Sequence, residues 1–470
     1  MQETNFFQLA NTLEDKEWKA FFTFVSGVYS KQKIQIRLLN YLHANRSKKK
    51  KWENISAEQA YAETFAHQME TAKQKKKLLN TFSDLYNWLV DYLIWKDIKN
   101  DEFIRKIFTA EIYRKRNLNS KSLQILSTTK KWLLKNPILD FWKPLKLMLI
   151  SHLLTYNAVV NDKRYRITEI LDAAKYLDEF YFLAKLRYSA SIFSFKNVEK
   201  EKTPILLLKE VQKEVTKPAY KTNEHIQLYY WICQLSIERS AEAYDILKER
   251  FFNFSFPDKN EGLDVATFLV NHNAHLTRLG HIHSVQDCLK IFQVSLEKSL
   301  HIINGEINST SFQNISNTAS FLKDFDWVLQ FIEEYGPYLP KAERKDVIAI
   351  SYARVFSEEQ ECHKALEQLR KISSKVFTIE VVRRLLQIRC FYDLKENKTL
   401  IRASCTNMMA YLDRQEKIAP LIILSYKNFL EIMYKLLRAI PKIELLDLIS
   451  KTEVVTYKSW LKERIAALEE

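Results

Sequence analysis

The sequence predicts an all-α protein in which an array of helical hairpins follows a basic, helical N-terminal unit. The chain has only five glycines in 470 residues, whereas average usage is about 7% and sheet-rich folds need glycine in their turns. Apolar residues recur every three or four positions, which is the periodicity of helices. Two successive helix pairs between Phe312 and Ile372 also share one internal spacing.

The second of these pairs defines the repeat most clearly. Small and apolar residues occupy seven offsets through which the two helices of a tetratricopeptide (TPR) repeat pack together. In the second pair they are Ala349, Tyr352, Ala353, Phe356, Ala365, Leu369 and Ile372. In the first pair they are Phe312, Ile315, Ser316, Ala319, Val328, Ile332 and Tyr335. A weaker copy, with Gly280 at its turn, comprises Leu269, His272, Asn273, Leu276, Val285, Leu289 and Phe292.

Stacking lets such helix pairs bury an apolar face that one pair cannot cover alone. The copies begin about 43 and 37 residues apart, against about 34 in the regular repeat, and they lack its closing proline, so we describe the array as TPR-like. The pattern predicts a TPR-like α-solenoid over residues 137–470, with a charged capping helix at its end. Three consecutive aromatic residues are candidates for a concave, peptide-binding surface, although such residues are commoner in a core: Tyr229, Tyr230 and Trp231.

The first 136 residues are predicted to form a separate basic helical domain. They contain 25 Lys and Arg against 14 Asp and Glu, a net charge of +11, whereas the whole chain carries +15. Ser56 and Gln59 have the spacing of a capping box that begins a helix. A longer helix is predicted from about Thr71 to Ile98, because its apolar residues form one stripe.

Clusters of lysine make nucleic-acid binding the alternative function of this domain. Exposed lysines can neutralise phosphates and release counterions. The simpler interpretation is a solvated helix face with a basic loop, since no zinc-finger spacing or recognition helix accompanies them. The candidate phosphate-binding residues are Lys48, Lys49, Lys50, Lys51, Lys73, Lys75, Lys76 and Lys77.

Four histidines near the weaker repeat copy are a candidate metal site. A turn at Gly280 could return the chain so that three imidazoles meet, which is a ligand set for zinc or copper. The spacing matches no metal motif, however, and the first histidine falls on a packing position. We therefore predict no metal and no other cofactor, with these as weak candidates: His272, His275, His281 and His283.

Cysteine usage predicts a reducing, cytoplasmic location. The five cysteines are odd in number, widely spaced and embedded in helical apolar patterns, which suits buried thiols better than disulfides. No signal peptide is recognised at the start of the sequence, and no apolar stretch is long enough to span a membrane. Phosphate-binding glycine loops and the His-Glu-x-x-His motif are missing, so the sequence predicts no enzyme.

The stretch from Phe312 to Arg438 resembles the C-terminal half of an uncharacterised bacterial family of TPR-like helical proteins. The resemblance is carried by the run FLKDFDWVLQFIEEY from Phe321 to Tyr335, by Leu339-Pro340 and by the stretch from Ala365 to Leu369. Residues Leu78 to Leu93 are similar to the head region of that family. The resemblance implies a fold and supplies no catalytic residue, because the family has no established activity.

Two functions follow as expectations. The first is a non-enzymatic scaffold or adaptor whose concave TPR-like surface holds a protein or peptide partner. The second is a nucleic-acid-associated regulator that contacts phosphates through its basic N-terminal region. The sequence predicts no membrane partner and does not indicate an oligomeric state.

Overall fold

A computed structural model describes residues 4–46, 52, 55–136, 140–157, 163–196, 204–256, 258–278, 281, 283–416, 418, 420–438 and 440–468. These residues form 24 α-helices, one 3-10 turn and one two-stranded hairpin, which confirms the predicted all-α class. Contacts divide the chain into two compact units. Unit 1 comprises residues 1–137 and 146–175, and unit 2 comprises residues 138–145 and 176–470.

The first eleven helices are α1 (Asn5–Ala10), α2 (Asp15–Val28), α3 (Lys33–Ala44), α4 (Ala57–Phe65), α5 (Ala72–Asn100), α6 (Glu102–Lys115), α7 (Asn119–Lys135), α8 (Lys143–Thr155), α9 (Lys163–Lys196), α10 (Leu208–Val215) and α11 (Pro218–Lys221). The capping box predicted at Ser56 and Gln59 is present at the start of α4. A second capping box, formed by Thr71 and Gln74, begins α5. The long helix predicted from about Thr71 therefore begins at the capping box, where the Thr71 and Gln74 side chains accept hydrogen bonds from free backbone amides of the first turn.

The remaining elements are α12 (Glu224–Glu238), α13 (Ala241–Asn253), α14 (Lys259–Arg278), α15 (His283–Glu297), β1 (Ile302–Ile303), β2 (Glu306–Ile307), α16 (Ser309–Phe321), α17 (Phe325–Tyr335), a 3-10 turn (Gly336–Tyr338), α18 (Arg344–Glu358), α19 (Cys362–Arg370), α20 (Phe377–Asp393), α21 (Lys398–Asp413), α22 (Pro420–Leu437), α23 (Lys442–Lys451) and α24 (Lys458–Ala466). The small β1–β2 hairpin was not predicted. Its turn is Asn304-Gly305, and both residues have positive φ, as a two-residue hairpin turn requires.

The core of unit 1 is rich in aromatic side chains. Trp18 and Trp52 are buried with their ring centroids 4.9 Å apart. The Arg46 guanidinium lies 5.0 Å from the Trp18 ring and 4.9 Å from the Trp52 ring, while Arg46 Nη2 donates to the Leu13 carbonyl. This packing buries the cation against two π faces, where it is attracted to the ring electrons.

The two stretches with the clearest shared spacing each fold as a pair of helices. Helices α16 and α17 form the first pair, and α18 and α19 form the second. Ten of their fourteen packing positions are buried and the other four are half-buried; Ile315, Ala319 and Ala353, for example, have no exposed surface. Helix α16 also packs against α18, and α18 packs against α20. The buried hydroxyls of Ser316 and Ser351 meet at 3.2 Å between α16 and α18.

The turns that follow α16, α18 and α20 share one unusual conformation. Lys323, Gln360 and Lys395 have φ values of 60°, 65° and 56°, in the left-handed region that favours glycine. In each turn the amide of the following residue donates to the carbonyl five residues earlier, as from Asp324 to Ala319 at 3.1 Å and from Glu361 to Phe356 at 2.8 Å. The scarcity of glycine is therefore compatible with tight turns, because other residues adopt this conformation.

Within the part of the chain that the structure describes, no helix combines the length and apolar character needed to cross a membrane.

Candidate functional site

A cavity of about 470 Å³ lies in unit 2 between several of its helices. Its wall is mostly apolar, and Phe321, which lines it, is 48% exposed, so the cavity opens to solvent. We call it the arginine pocket, because Arg354 and Arg389 supply its positive charge. Its volume falls within the range of roughly 300–1,000 Å³ that is usual for small-molecule sites.

Three polar lining residues occupy equivalent places on three alternate helices. Asn317 on α16, Arg354 on α18 and Arg389 on α20 all line the arginine pocket. Each lies six residues before a left-handed turn residue, at Lys323, Gln360 and Lys395 respectively. We call these three residues the ladder. The shared spacing, together with the contacts of α18 with α16 and with α20, brings three polar side chains to one cavity.

Arg389 is the most buried member of the ladder, with only 1% of its surface exposed. Its Nη2 donates to Glu358 Oε1 at 2.9 Å. The guanidinium carbon lies 4.4 Å from the centroid of the Tyr457 ring and 5.2 Å from that of Trp460. Within the described residues, Arg389 Nε and Nη1 have no hydrogen-bond partner. Ring contacts use the faces of a guanidinium, whereas its N–H bonds lie in its plane, so these donors remain free.

Arg354 and Asn317 add two further polar atoms without partners. Arg354 Nη1 and Asn317 Oδ1 are buried and have no hydrogen-bond partner among the residues described here. Burial lowers the pKa of Arg354 and the nearby Arg389 acts in the same direction, whereas Tyr457 and Tyr426 oppose this change. Arginine nevertheless stays protonated in proteins, so two positive groups face one cavity.

The connection between α23 and α24 closes one side of the pocket. Tyr457 has a φ of 52°, which is uncommon for an aromatic residue. Two hydrogen bonds hold this connection against α22, from the Thr456 amide to the Ser425 carbonyl at 3.3 Å and from Asn428 Nδ2 to the Val454 carbonyl at 2.7 Å. The Tyr457 ring is thereby fixed against Arg389.

The arrangement is suited to binding an anion rather than to acid–base chemistry. A guanidinium carries five N–H donors in a fixed plane and cannot release a proton at neutral pH. Unpartnered buried donors are costly, because each loses its water without gaining a replacement. An anion in the pocket would supply the missing acceptors.

The predicted phosphate-binding lysines of α5 lie at its N-terminal end. Lys73, Lys75, Lys76 and Lys77 are all exposed, and Lys77 Nζ lies 4.4 Å from the centroid of the Phe65 ring. The N-terminus of a helix already carries a partial positive charge, so these lysines add to an existing positive potential. The other predicted run, Lys48 to Lys51, lies outside the described residues.

The four candidate histidines are not gathered into a metal site. His272 is buried with its ring centroid 4.9 Å from that of Tyr244, and burial lowers its pKa. His275 is half-buried, whereas His281 and His283 are exposed. Across the described ranges, no three His, Cys, Asp or Glu side chains are placed to hold a metal ion.

The candidate aromatic residues do not form one exposed surface. Tyr229 is fully buried, and its hydroxyl lies 3.4 Å from Asp264 Oδ2. This position leaves Tyr229 out of reach of a peptide, because its neighbours cover the whole side chain. Tyr230 and Trp231 are half-buried, and Tyr230 lines a separate cavity of about 620 Å³.

Sequence reasoning missed the arginine pocket, although a signal was present. Asn317 and Arg354 each lie five residues after the first packing position of their repeat copies, at Phe312 and Ala349. A polar residue at the same offset of consecutive copies indicates a shared surface. The third member, Arg389, had no counterpart in the offset pattern, because the apolar residues of α20 do not fall at the seven packing offsets.

Comparison of the chain with protein families, with curated proteins and with solved structures gave no match in any of the three.

Proposed function

We propose that unit 2 is a non-enzymatic interaction scaffold, a TPR-like α-solenoid that holds a protein partner on the helix face containing the ladder. The observation that carries this proposal is the equivalent placement of Asn317, Arg354 and Arg389 on α16, α18 and α20, all lining one accessible cavity. A surface built from equivalent positions of stacked helices is the usual binding surface of such arrays. Membership in the TPR-like bacterial family stays a prediction.

A photo-crosslinking experiment tests the scaffold proposal. Benzoylphenylalanine replaces Phe321, which lines the arginine pocket, and in a matched control it replaces Phe254, which is 60% exposed elsewhere in unit 2. Each protein is irradiated in native cell lysate after nuclease treatment, and adducts are identified by mass spectrometry. A defined protein captured from position 321 alone supports the proposal. Equal capture from both positions, or none from 321, contradicts it.

We also propose a cytoplasmic location for the protein. All five cysteines are free and buried: Cys233, Cys288, Cys362, Cys390 and Cys405. Burial raises the pKa of Cys233, Cys288 and Cys405 to about 12, so these thiols stay protonated and inert. Free thiols in a helical core suit a reducing compartment. Fractionation of the native cells tests this location.

The second candidate function is nucleic-acid binding by unit 1. It is favoured by the placement of Lys73, Lys75, Lys76 and Lys77 at the positive end of α5, where no acidic residue stands in the first turn. Like charges at this end are unfavourable for the helix itself. Binding of phosphates would compensate for that cost.

Matched charge reversals test this second function. One variant changes Lys75, Lys76 and Lys77 to Glu, and its control changes three other exposed lysines of unit 1, Lys16, Lys19 and Lys31, to Glu. Fluorescence anisotropy with single-stranded and double-stranded oligonucleotides is measured over a salt series. If the α5 lysines contact phosphates, only the first variant lowers the salt slope, by about one counterion for each lysine. Equal slopes in the two variants would exclude this surface.

A further inference from the structure

The arginine pocket carries an uncompensated positive charge. The charged residues that line it in the described structure are Arg354, Arg389 and Glu358. Glu358 is paired with Arg389 at 2.9 Å, and no carboxylate of the described chain pairs with Arg354. One negative charge therefore faces two positive charges, which leaves a net charge of +1 in the arginine pocket.

The same pocket holds three N–H donor positions that are buried and unused in the described structure. They are Nε and Nη1 of Arg389 and Nη1 of Arg354. Two of them belong to a side chain that is 1% exposed. Both oxygens of a carboxylate can accept hydrogen bonds from such planar donors, and these charge-assisted bonds are roughly twice as strong as neutral ones.

The rest of the wall is suited to an apolar ligand body. The apolar and aromatic lining residues are Val285, Phe321, Val382, Leu385, Leu386, Tyr426 and Tyr457. A cavity of about 470 Å³ corresponds to the volume of roughly fifteen water molecules. It would accommodate an anion with a compact apolar body.

We propose that the arginine pocket binds a monocarboxylate with a medium-length alkyl or aryl-alkyl body, whose carboxylate accepts hydrogen bonds from Arg354 and Arg389. A monoanion neutralises the net charge of +1. A phosphate monoester carries about −1.5 to −2 at neutral pH and would leave excess negative charge beside Glu358. The inference goes beyond the scaffold proposal and does not depend on a protein partner.

Isothermal titration calorimetry on the purified full chain tests this assignment. The probes are octanoate, octan-1-ol, octyl phosphate and acetate. We expect octanoate to bind at one site. Octan-1-ol should bind at least about tenfold more weakly, because it lacks the charge that the guanidinium groups recognise. Acetate should also bind more weakly, because it buries little apolar surface.

Three variants with a control locate the binding. Asn317→Asp keeps the shape of the side chain but adds a negative charge to the pocket, so octanoate should bind at least about tenfold more weakly. Glu358→Gln removes the competing carboxylate, so octanoate should bind more tightly. Arg354→Met should weaken binding, whereas Arg370→Met, which removes an exposed arginine of α19, should leave it unchanged.

The possible outcomes separate the proposal from its alternatives. Weaker binding by Asn317→Asp together with tighter binding by Glu358→Gln supports it, and both variants nearly preserve side-chain volume. Equal affinity for octanoate and octan-1-ol would show simple apolar adsorption and overturn it. Tighter binding of octyl phosphate than of octanoate would overturn the assignment of a monocarboxylate. Absence of binding by all four probes would also overturn it, whatever the photo-crosslinking experiment finds.

Discussion

We expect the buried side chain of His301 to make unit 2 sensitive to mild acid. His301 is 7% exposed, and its Nε2 lies 2.7 Å from Ser295 Oγ. The Ser295 hydroxyl donates to the Phe292 carbonyl at 2.7 Å. We therefore assign the Nε2–H tautomer, in which the imidazole donates to the serine oxygen. Burial lowers the pKa of His301 from 6.5 to about 4, because the protonated ring loses its hydration.

The sign and size of the effect follow from this difference in pKa. Because the folded pKa is below the unfolded one, the unfolded state binds the extra proton between pH 6.5 and pH 4, and stability is lost as the pH falls through that window. Above pH 6.5 the full contribution is present. Between pH 7.5 and pH 5, His301 should remove about 2 kcal/mol from the free energy of unfolding.

Urea unfolding of His301→Gln, followed by circular dichroism at pH 7.5 and pH 5, measures this contribution. Glutamine keeps an N–H donor near Nε2 but does not titrate. The variant should therefore lose about 2 kcal/mol less than the wild type on acidification. His281→Gln, which replaces an exposed histidine, should behave as the wild type does. If His301→Gln and the wild type respond equally to pH, the assignment of a neutral, buried imidazole is wrong.

Four further experiments test the packing: three substitutions and one thiol-reagent assay. Ala353→Leu should lower the free energy of unfolding by about 1–3 kcal/mol, because Ala353 is fully buried among apolar side chains and a larger residue overpacks that site; urea unfolding measures this. In the wild type, the Lys130 amine lies 2.6 Å from the nearly buried Glu169. Lys130→Met leaves that carboxylate without its cation and should lower the free energy of unfolding by about 3 kcal/mol. The control Lys131→Met, at an exposed neighbour, should change the free energy of unfolding little. Gln360→Gly should raise the melting temperature, with a gain of about 0.5–1 kcal/mol from relief of the left-handed strain; an unchanged or lower value contradicts that interpretation. A thiol reagent such as DTNB should react slowly with the native protein and rapidly with all five cysteines in guanidinium chloride, because all five are buried.

Local sequence signals were sufficient to predict the helices and several of their starts. The capping box at Ser56 and the long apolar stripe of α5 depend on residues within a few positions of one another. Of the fourteen positions that the seven packing offsets marked in the two helix pairs, ten are buried. Such signals are reliable because side chains three or four positions apart lie on the same helix face.

The arginine pocket could not be assembled in the same way, because its parts are distant in the sequence. Tyr457 and Trp460 reach Arg389 from about 70 positions further along the chain. Trp460 is itself held by Asp393, a partner 67 positions away that also accepts from Arg464 at 2.6 Å. Charged residues on a predicted helix are usually solvated, so Arg354 and Arg389 gave no local indication of burial.

The glycine count also led to an incomplete picture of the turns. The sequence analysis assigned a turn residue only in the weaker copy, at Gly280, whereas Lys323, Gln360 and Lys395 adopt the left-handed conformation in the later turns. The hydrogen bond to the carbonyl five residues earlier recurs in all three turns. The strain of a side chain with positive φ is therefore accepted where the backbone bonding is satisfied.

The fixed distance from ladder residue to turn limits where the chain can change in length. Each residue of an α-helix rotates its side chain by about 100°, so one insertion between Arg354 and Gln360 would turn the arginine away from the cavity while leaving its chemistry intact. Successive ladder residues are 37 and 35 positions apart, whereas each lies six positions before its turn. The difference of two residues thus falls entirely outside those six-residue spans. Natural insertions and deletions should therefore collect in the second helix of each pair and in the connection after it. These segments are where the length of each pair can change.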